Sequence, residues 1–221
     1  MAELPRCRRA TWADVDRWAD RVAEAIRARA AIPETIVGLT RGGWVPARLL
    51  CDRLGVTRMV SLRAQHWGIT ATPTGAAELT EGLSGPVRDQ GVLVVDDITD
   101  TGESLRLAVD HVRAQGPRTL ASATFLHISH ARFVPDFYAE MIPRQAWAWI
   151  VFPWNYWEDL RTLAAKAAEI APGLSAVQRT LRARCGLAVS RADLAEVART
   201  VPLGTPSARA AAPPGRRRRS A

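Results

Sequence analysis

Short apolar segments alternate with amphipathic ones over the first two thirds of the chain, and this alternation constrains the fold more than any other feature. Five runs have the length and apolar content of buried strands, at residues 35–39, 59–62, 91–97, 120–127 and 147–152. Segments with helical spacing intervene at residues 11–31, 45–54 and 104–114. Because strands that alternate with helices assemble into a mostly parallel sheet, we predict an α/β fold with a Rossmann-like sheet.

Several helix boundaries are also marked in the sequence. Thr11 and Asp14 have the spacing of a capping box. Ser175 and Ser190 stand where a side-chain oxygen can cap a later helix. Gly55 follows the second predicted helix, and glycine readily takes the left-handed conformation that ends helices.

After Pro153 the pattern is helical, with candidates at residues 157–171, 175–185 and 190–201 and no catalytic motif. The last segment is rich in Ala, Pro, Gly and Ser and has almost nothing to bury, which is typical of disorder. We therefore predict three parts: a first domain at 1–157, a helical extension at 158–202 and a disordered Arg-rich tail at 203–221.

The net charge of +8 comes mostly from that tail, which holds five arginines and no acid. Without those five, 25 basic residues face 22 acidic ones, so the rest of the chain is only +3. A basic tail is able to contact nucleic acid or an anionic surface. The weak charge of the body favours the simpler interpretation of a solvated tail, and nucleic acid is not favoured as a partner.

The cysteines and the apolar runs exclude several classes of protein. Cys7, Cys51 and Cys185 are scattered, which excludes a disulfide scaffold, and no Cys/His pair has metal-ligand spacing. No run approaches the roughly 18 apolar residues that a membrane helix needs. We therefore expect a cytoplasmic protein without a membrane partner.

The segment 94–104, Val-Val-Asp-Asp-Ile-Thr-Asp-Thr-Gly-Glu-Ser, is the strongest chemical signal. It reads as a buried strand followed by three carboxylates and a turn of small residues that opens a helix. Backbone N–H groups at a helix N-terminus bind phosphate, and adjacent carboxylates suit vicinal hydroxyls or a hydrated Mg²⁺. A sugar phosphate matches this combination.

This segment resembles the phosphoribosyl pyrophosphate (PRPP) motif of type I phosphoribosyltransferases. The resemblance implies that Asp96 and Asp97 hold the ribose hydroxyls and Mg²⁺, and that the following loop holds the 5′-phosphate. It also implies that Asp100 is the general acid/base near N7 or the attacking nitrogen of the purine. The residues implied in PRPP binding are Asp96, Asp97, Thr99, Asp100, Thr101, Gly102, Glu103 and Ser104.

Two further segments are similar to the xanthine-guanine and archaeal-type hypoxanthine-guanine branch of this family. Thr40, Arg41, Gly42 and Gly43 resemble its pyrophosphate loop, which implies a cis peptide bond at Thr40–Arg41. The stretch 149–154, Trp-Ile-Val-Phe-Pro-Trp, resembles its hood over the base.

Within the hood, the resemblance implies that Trp149 stacks on the base and that Ile150 reads its edge. A tryptophan in the core is an equally good interpretation for Trp149. We expect Trp147 and Trp157 to be core residues. The irregular stretch 66–83 is similar to the mobile loop that closes over the reaction in this family.

One departure concerns the base. Aligning residues 125–127 on the strand whose following lysine meets the purine's exocyclic oxygen places His127 at the lysine position. The sole lysine, Lys166, lies in the wrong region, and Asn155 replaces the acid expected after the hood. His127 is therefore either a base contact or a histidine at the end of a strand.

The resemblance implies an enzyme, a Mg²⁺-dependent phosphoribosyltransferase that forms a homodimer and joins PRPP to a purine-like base. Hypoxanthine, guanine, xanthine and a modified purine such as a deazapurine remain open. Two alternatives also remain: a PRPP-sensing regulator with the same fold that binds nucleic acid, and a homologue that binds PRPP without transferring it.

Overall fold

The computed structural model describes residues 3–66 and 77–204. Two compact units divide this part of the chain. The larger unit spans Arg8–Tyr156, and the smaller one joins residues 3–7 to residues 157–204. The division at Tyr156 lies next to the boundary predicted at residue 157, whereas the sequence contains no signal that the N-terminal residues join the later helices.

Eight strands and six α-helices form the described part of the chain, with a 3₁₀ turn at Arg144–Ala146 and a π-helical turn at Leu181–Cys185. The strands are β1 (Cys7–Arg9), β2 (Thr35–Thr40), β3 (Arg58–His66), β4 (Ala77–Glu81), β5 (Gly91–Thr99), β6 (Thr119–Ile128), β7 (Phe137–Ile142) and β8 (Trp149–Val151). The helices are α1 (Trp12–Ala28), α2 (Trp44–Leu54), α3 (Glu103–Ala114), α4 (Tyr156–Ile170), α5 (Leu174–Thr180) and α6 (Arg191–Val197).

The central sheet has six strands in the order β4-β3-β2-β5-β6-β7, and β1 pairs with β8 in a separate ribbon. All neighbours in the central sheet are parallel except β3 and β4. After β2 the chain continues on one side of that strand, to β3, and later returns to its other side, as β5. This reversal of strand order places a crevice at the carboxyl ends of β2 and β5, where ligands of such sheets bind.

Helices cover both faces of the sheet. Trp18 of α1 and Leu50 of α2 pack with Leu93 of β5 in one core cluster. Val109 of α3 packs with Val94, the next residue of β5, in the cluster on the opposite face. Because successive strand residues point to opposite faces, an apolar run such as 91–95 is buried between two layers of helices, and the predicted α/β fold with a mostly parallel sheet is confirmed.

The predicted caps of the first two helices are confirmed. Thr11 accepts a hydrogen bond from the backbone N–H of Asp14, whose carboxylate accepts one from the backbone N–H of Thr11 (2.9 Å). Gly55 ends α2 in the left-handed conformation, at φ 71°. Both devices satisfy backbone groups that a helix end leaves open.

The later helices agree less well with the sequence predictions. Ser190 caps α6 and accepts from the N–H of Asp193 (2.9 Å), as predicted. The cap predicted at Ser175 is wrong, because Gly173 precedes α5. Trp157 was expected in the core but is 42 % exposed. None of the described helices has the length and apolar character needed to cross a membrane.

Strand lengths differ from the predictions in ways that affect the site. β5 continues two residues past Asp97, and β6 continues one residue past His127. The edge strand β7 was not predicted, because Phe137–Ile142 mixes buried and exposed positions without strict alternation. Of the predicted closing loop at 66–83, β4 and the residues after it are described, and residues 67–76 lie outside the described part.

Candidate active site

A cavity of about 330 Å³ opens at the carboxyl ends of β2 and β5, as the strand order predicts. The loop after β2, the end of β5, the first turn of α3 and the β8 region all contribute to its wall. The lining residues are Leu39, Thr40, Arg41, Gly42, Ala64, Asp96, Asp97, Ile98, Asp100, Ser104, Trp147, Ala148, Trp149, Ile150, Phe152 and Asn155.

The loop after β2 contacts the end of β5 without side chains in between. A Cβ added to Gly42 would overlap the carboxylate of Asp97, with Cγ at 2.7 Å and Oδ1 at 2.9 Å. A Cβ on Gly43 would lie 2.7 Å from Cα of Asp96. Glycine is therefore required at both positions by close approach. The Thr40–Arg41 peptide bond is cis, as the resemblance implied.

Asp96 and Asp97 stand side by side at the carboxyl end of β5. Burial raises the pKa of Asp97 to about 6, a shift that the hydrogen bond from Trp154 opposes. Burial and the neighbouring charge of Asp97 raise the pKa of Asp96 well above its usual value. Two adjacent carboxylates whose ionised forms are disfavoured in this way favour a partner that supplies positive charge or hydroxyl donors.

Among the described residues, two polar groups contact Asp100, both at the same carboxylate oxygen. The indole Nε1 of Trp147 donates a hydrogen bond to Oδ1 (3.2 Å). Nε2 of His130 lies 3.1 Å from that oxygen, at ion-pair distance. Neither contact uses Oδ2. Trp147 packs against the core, as expected, and it also lines the cavity.

Aromatic residues also line the cavity. Trp149 and Ile150, both proposed from the sequence as base contacts, line it at β8. Trp154 stacks on Phe152 with ring centroids 4.8 Å apart and an interplanar angle of 10°. Nε1 of Trp154 donates to Oδ2 of Asp97 (3.4 Å). The same cavity therefore combines aromatic rings with carboxylates.

The cavity does not include every residue of the predicted PRPP motif. Thr99 is buried within β5, where its hydroxyl donates to Oγ1 of Thr124 (3.1 Å). Gly102 has φ 85° and packs against Phe133. Thr101 and Glu103 of the motif also lie outside the lining, as does Gly43 of the predicted pyrophosphate loop. They shape the loops whose neighbours line the cavity.

The structure does not bring His127 to the cavity. Its side chain belongs to β6 and is 4 % exposed, with its ring centroid 5.1 Å from that of Tyr138. Burial and the nearby His130 lower its pKa, and Nδ1 has no hydrogen-bond partner among the described residues. The sequence placed the end of the strand at His127, whereas β6 continues to Ile128. The first polar side chain to reach the site after this strand belongs to His130.

Two contacts that the fold creates, His130 with Asp100 and Trp154 with Asp97, were not predicted from the sequence. His130 follows β6 in a short loop, and only the pairing of β5 with β6 brings it to Asp100. Trp154 reaches Asp97 from the residues after β8. The Phe-Pro-Trp stretch drew attention to Trp154 as part of the hood, but no local pattern links it to a carboxylate 57 residues earlier.

A doubly wound α/β sheet with a cis, glycine-containing loop and paired acids at neighbouring strand ends defines a class of enzyme that binds phosphorylated sugars. The family model described as the phosphoribosyl transferase domain matches residues 9–159. The chain belongs to this family of phosphoribosyltransferases, and the resemblance drawn from its motifs is confirmed.

Individual relatives agree with the family match. The chain is 30 % identical over 122 residues to a xanthine-guanine phosphoribosyltransferase of Cereibacter sphaeroides, an alignment that covers 54 % of this chain and 68 % of the relative. A purine phosphoribosyltransferase structure from Pyrococcus horikoshii is 29 % identical and superimposes with a TM-score of 0.57, covering 67 % of this chain and 93 % of that one.

A more distant structure extends the likeness of fold. The Helicobacter pylori xanthine-guanine-hypoxanthine phosphoribosyltransferase is 19 % identical and has a TM-score of 0.57. The match covers 71 % of this chain and 99 % of that one. At this level of identity the similarity shows the fold alone.

Proposed function

We propose that this enzyme transfers the 5-phosphoribosyl group of PRPP to a ring nitrogen of a purine-like base and releases pyrophosphate. The observation that carries the proposal is a single cavity whose lining combines the paired acids Asp96 and Asp97, the separate acid Asp100 and the ring of Trp149. The similar proteins named for purine and xanthine-guanine substrates support the class of base.

Each group of site residues is proposed to bind a different part of PRPP or the base. Asp96 and Asp97 accept hydrogen bonds from the ribose hydroxyls, and the 40–43 loop binds the pyrophosphate through backbone N–H groups. Ser104 lies in the first turn of α3, where backbone N–H groups at the helix N-terminus bind the 5′-phosphate. Trp149 stacks on the base. Catalysis then depends on positioning and on electrostatic stabilisation of the leaving group.

Asp100 is the acid/base in this proposal. As the ring nitrogen forms its bond to C1′ of the ribose, the C1′–O bond breaks and its electron pair leaves with pyrophosphate. The proton of the base's ring N–H passes to Oδ2 of Asp100, the oxygen that Trp147 and His130 do not contact. A carboxylate is suited to this step because its oxygens accept protons, and Asp100 lies in the same cavity as the proposed stacking ring.

The acids also suit Mg²⁺, which the family uses with PRPP by resemblance. Among the described residues, no group of three or more His, Cys, Asp or Glu is placed to hold a metal ion. Mg²⁺ commonly takes one or two carboxylates and obtains its remaining ligands from water and substrate phosphates, a demand that Asp96 and Asp97 meet. Bound there with PRPP, Mg²⁺ would offset the negative charge of the departing pyrophosphate.

Which base is accepted is decided at the end of the cavity that holds Asp100. The charged lining residues are three aspartates and one arginine, Arg41, which belongs to the predicted pyrophosphate loop. Residues 67–76, which belong to the predicted closing loop, contain no charged side chain. We therefore expect neutral 6-oxopurines or neutral modified purines to be preferred over xanthine in its anionic form.

Pyrophosphate release tests the proposal directly. The full chain is incubated with PRPP and Mg²⁺ against a panel of hypoxanthine, guanine, xanthine, adenine and deazapurines. Release that depends on a base, with the matching nucleoside 5′-monophosphate as the second product, supports the proposal. Release with none of the bases overturns it. PRPP binding without release would instead match the homologue that binds PRPP and does not transfer it.

The dimer and the cytoplasmic location stay predictions. The dimer is supported by the resemblance to the family and is tested by light scattering of the purified chain across a range of concentrations. The cytoplasmic location is supported by its proposed substrates, since PRPP and purine nucleotides are phosphorylated metabolites. Fractionation of the source cells followed by immunoblotting tests it.

A further inference from the structure

The loop at residues 129–133, which we call the His130 loop, is attached to the PRPP motif at three points. The N–H of Arg132 donates to the carbonyl oxygen of Thr101 (3.0 Å). Phe133 fills the space beside Gly102, where a Cβ would lie 2.8 Å from that of Phe133. His130 reaches Asp100. Three successive residues of the motif thus have a partner in one loop.

The loop is fixed on its other side as well. Ser129 donates its N–H to the carbonyl of Ile142 at the end of β7 (2.9 Å), and its hydroxyl accepts from the N–H of Arg144 (2.9 Å). Ala131 donates its N–H to Ile128 at the end of β6 (3.0 Å). The imidazole of His130 is therefore attached to a backbone tied to two strand ends, which restricts where its ring can lie.

The consequence concerns the orientation of Asp100. A carboxylate turns about its terminal torsion with little resistance. Here Trp147 and His130 both contact Oδ1, at 3.2 and 3.1 Å. With Oδ1 contacted from two sides, rotation of the Asp100 carboxylate is restricted.

We propose that His130 is a positioning residue that holds Asp100 through Oδ1 so that Oδ2 accepts the ring proton of the base. This inference rests on the phosphoribosyl transfer proposed above and adds a residue that the motifs did not identify. It also bears on the absence of a lysine after β6. The polar side chain that follows this strand is His130, which acts on Asp100. His127 remains within β6.

Two substitutions and a matched control test the role. His130→Ala removes the contact, and His130→Gln keeps an N–H donor at about the reach of Nε2. His111→Ala removes a histidine of α3 that is outside the cavity lining. We expect His130→Ala to lower kcat by about 10- to 100-fold, as misplaced catalytic groups do, with the KM for PRPP and the melting temperature unchanged. His130→Gln recovers most of kcat, and His111→Ala matches the wild type.

A second readout does not need turnover. Trp147 and His130 share Oδ1, so the indole N–H signal of Trp147 in ¹H–¹⁵N spectra should move in His130→Ala and return towards its wild-type position in His130→Gln. A wild-type kcat in His130→Ala, an equal loss in both variants, or an unmoved Trp147 signal overturns the inference. Failure of the wild type to release pyrophosphate overturns the proposed function alone, because the spectra still report whether His130 holds Asp100.

Discussion

Trp154 donates its indole N–H to Oδ2 of Asp97 across 3.4 Å, joining the residues after β8 to the acidic end of β5. The same indole stacks on Phe152, a fully buried residue of the core. Asp97 is therefore held between a ring fixed by the core and the glycine loop after β2. Asp97, the acid proposed to bind the ribose hydroxyls, is thus oriented by contacts within the protein.

Trp154→Phe should weaken PRPP binding while leaving the base site intact. The substitution keeps the stacking ring and removes the donor to Asp97, a hydrogen bond to a charged group, so we expect the Kd for PRPP to rise by about 3- to 10-fold. Because that hydrogen bond lowers the pKa of Asp97, its loss also shifts the pH dependence of binding upward. Calorimetric titrations at several pH values measure both effects.

The matched control is Trp12→Phe, since Trp12 lies 6.0 Å from Trp154 between ring centroids and is 57 % exposed. An equal loss of affinity in the two variants would show that the aromatic cluster, and not the hydrogen bond, supports Asp97.

The buried acids should make the ligand-free protein less stable as the pH rises. Burial raises the pKa of Asp97 to about 6 from 3.8, so its protonated form is favoured in the folded state relative to the unfolded state. The cost of ionisation is absent below the unfolded pKa, grows between about pH 4 and 6 and is complete above that range. Asp97→Asn removes this cost and the repulsion that Asp97 exerts on Asp96.

Urea unfolding in the presence of a chelator measures this effect. The stability of Asp97→Asn relative to the wild type should increase from pH 4 to pH 7. Asp110→Asn, at an exposed position of α3, serves as the control and should show no such trend. A constant difference between Asp97→Asn and the wild type across this range would mean that Asp97 titrates normally.

Gly42→Ala should strongly weaken PRPP binding and activity in a folded protein. The added Cβ would overlap the carboxylate of Asp97, which is short, buried and 7 % exposed. Either the loop or the acid must then shift, and a displacement of this size costs about 100-fold or more in activity. Gly82→Ala is the matched control, because nothing lies within 4 Å of its added Cβ. Binding and melting curves of both variants decide the matter, and wild-type affinity in Gly42→Ala would contradict the close approach.

Three parts of the cavity lining come from segments that the sequence marks by a local pattern. The acids at the end of β5, the glycine loop and the ring of Trp149 are each part of a local pattern, and they meet because parallel strands end at one edge of the sheet. The ends of β5 and β6 were misplaced because strand ends depend on pairing with the neighbouring strand. β5 continues past Asp97 through the register pairs Ile98↔Leu126 and Thr99↔His127, so Thr99 lies within the strand. β6 continues past His127 to Ile128.

Contacts between distant loops were beyond the reach of local patterns. His130 and Trp154 reach their carboxylates only through the tertiary structure, and neither lies at a spacing that marks it for this role. The edge strand β7 was missed for a related reason, since its exposed Tyr138 and Met141 break the alternation that signals a half-buried strand.

Trp149→Ala should raise the KM for the base and leave PRPP binding unchanged. Stacking of a base on an aromatic ring contributes about 1–3 kcal/mol, so we expect an increase of roughly 10-fold or more. Trp149→Phe keeps a ring and should recover part of the affinity. Trp157→Ala, at an exposed tryptophan of α4, is the control. Steady-state kinetics with base and PRPP varied separately provide the measurement, and an equal rise in both KM values would point to a structural role for Trp149.

Asp100→Asn should separate chemistry from binding. The amide keeps the shape of the side chain and its acceptor oxygen for Trp147, but it cannot take the proton of the base. General acid–base groups contribute about 100- to 10,000-fold to rate, so kcat should fall by that order while the Kd for PRPP stays near the wild-type value. Rapid-quench measurement of a single turnover, with Asp110→Asn as the control, isolates this step. Turnover close to the wild-type rate in Asp100→Asn would remove Asp100 from the mechanism and His130 with it.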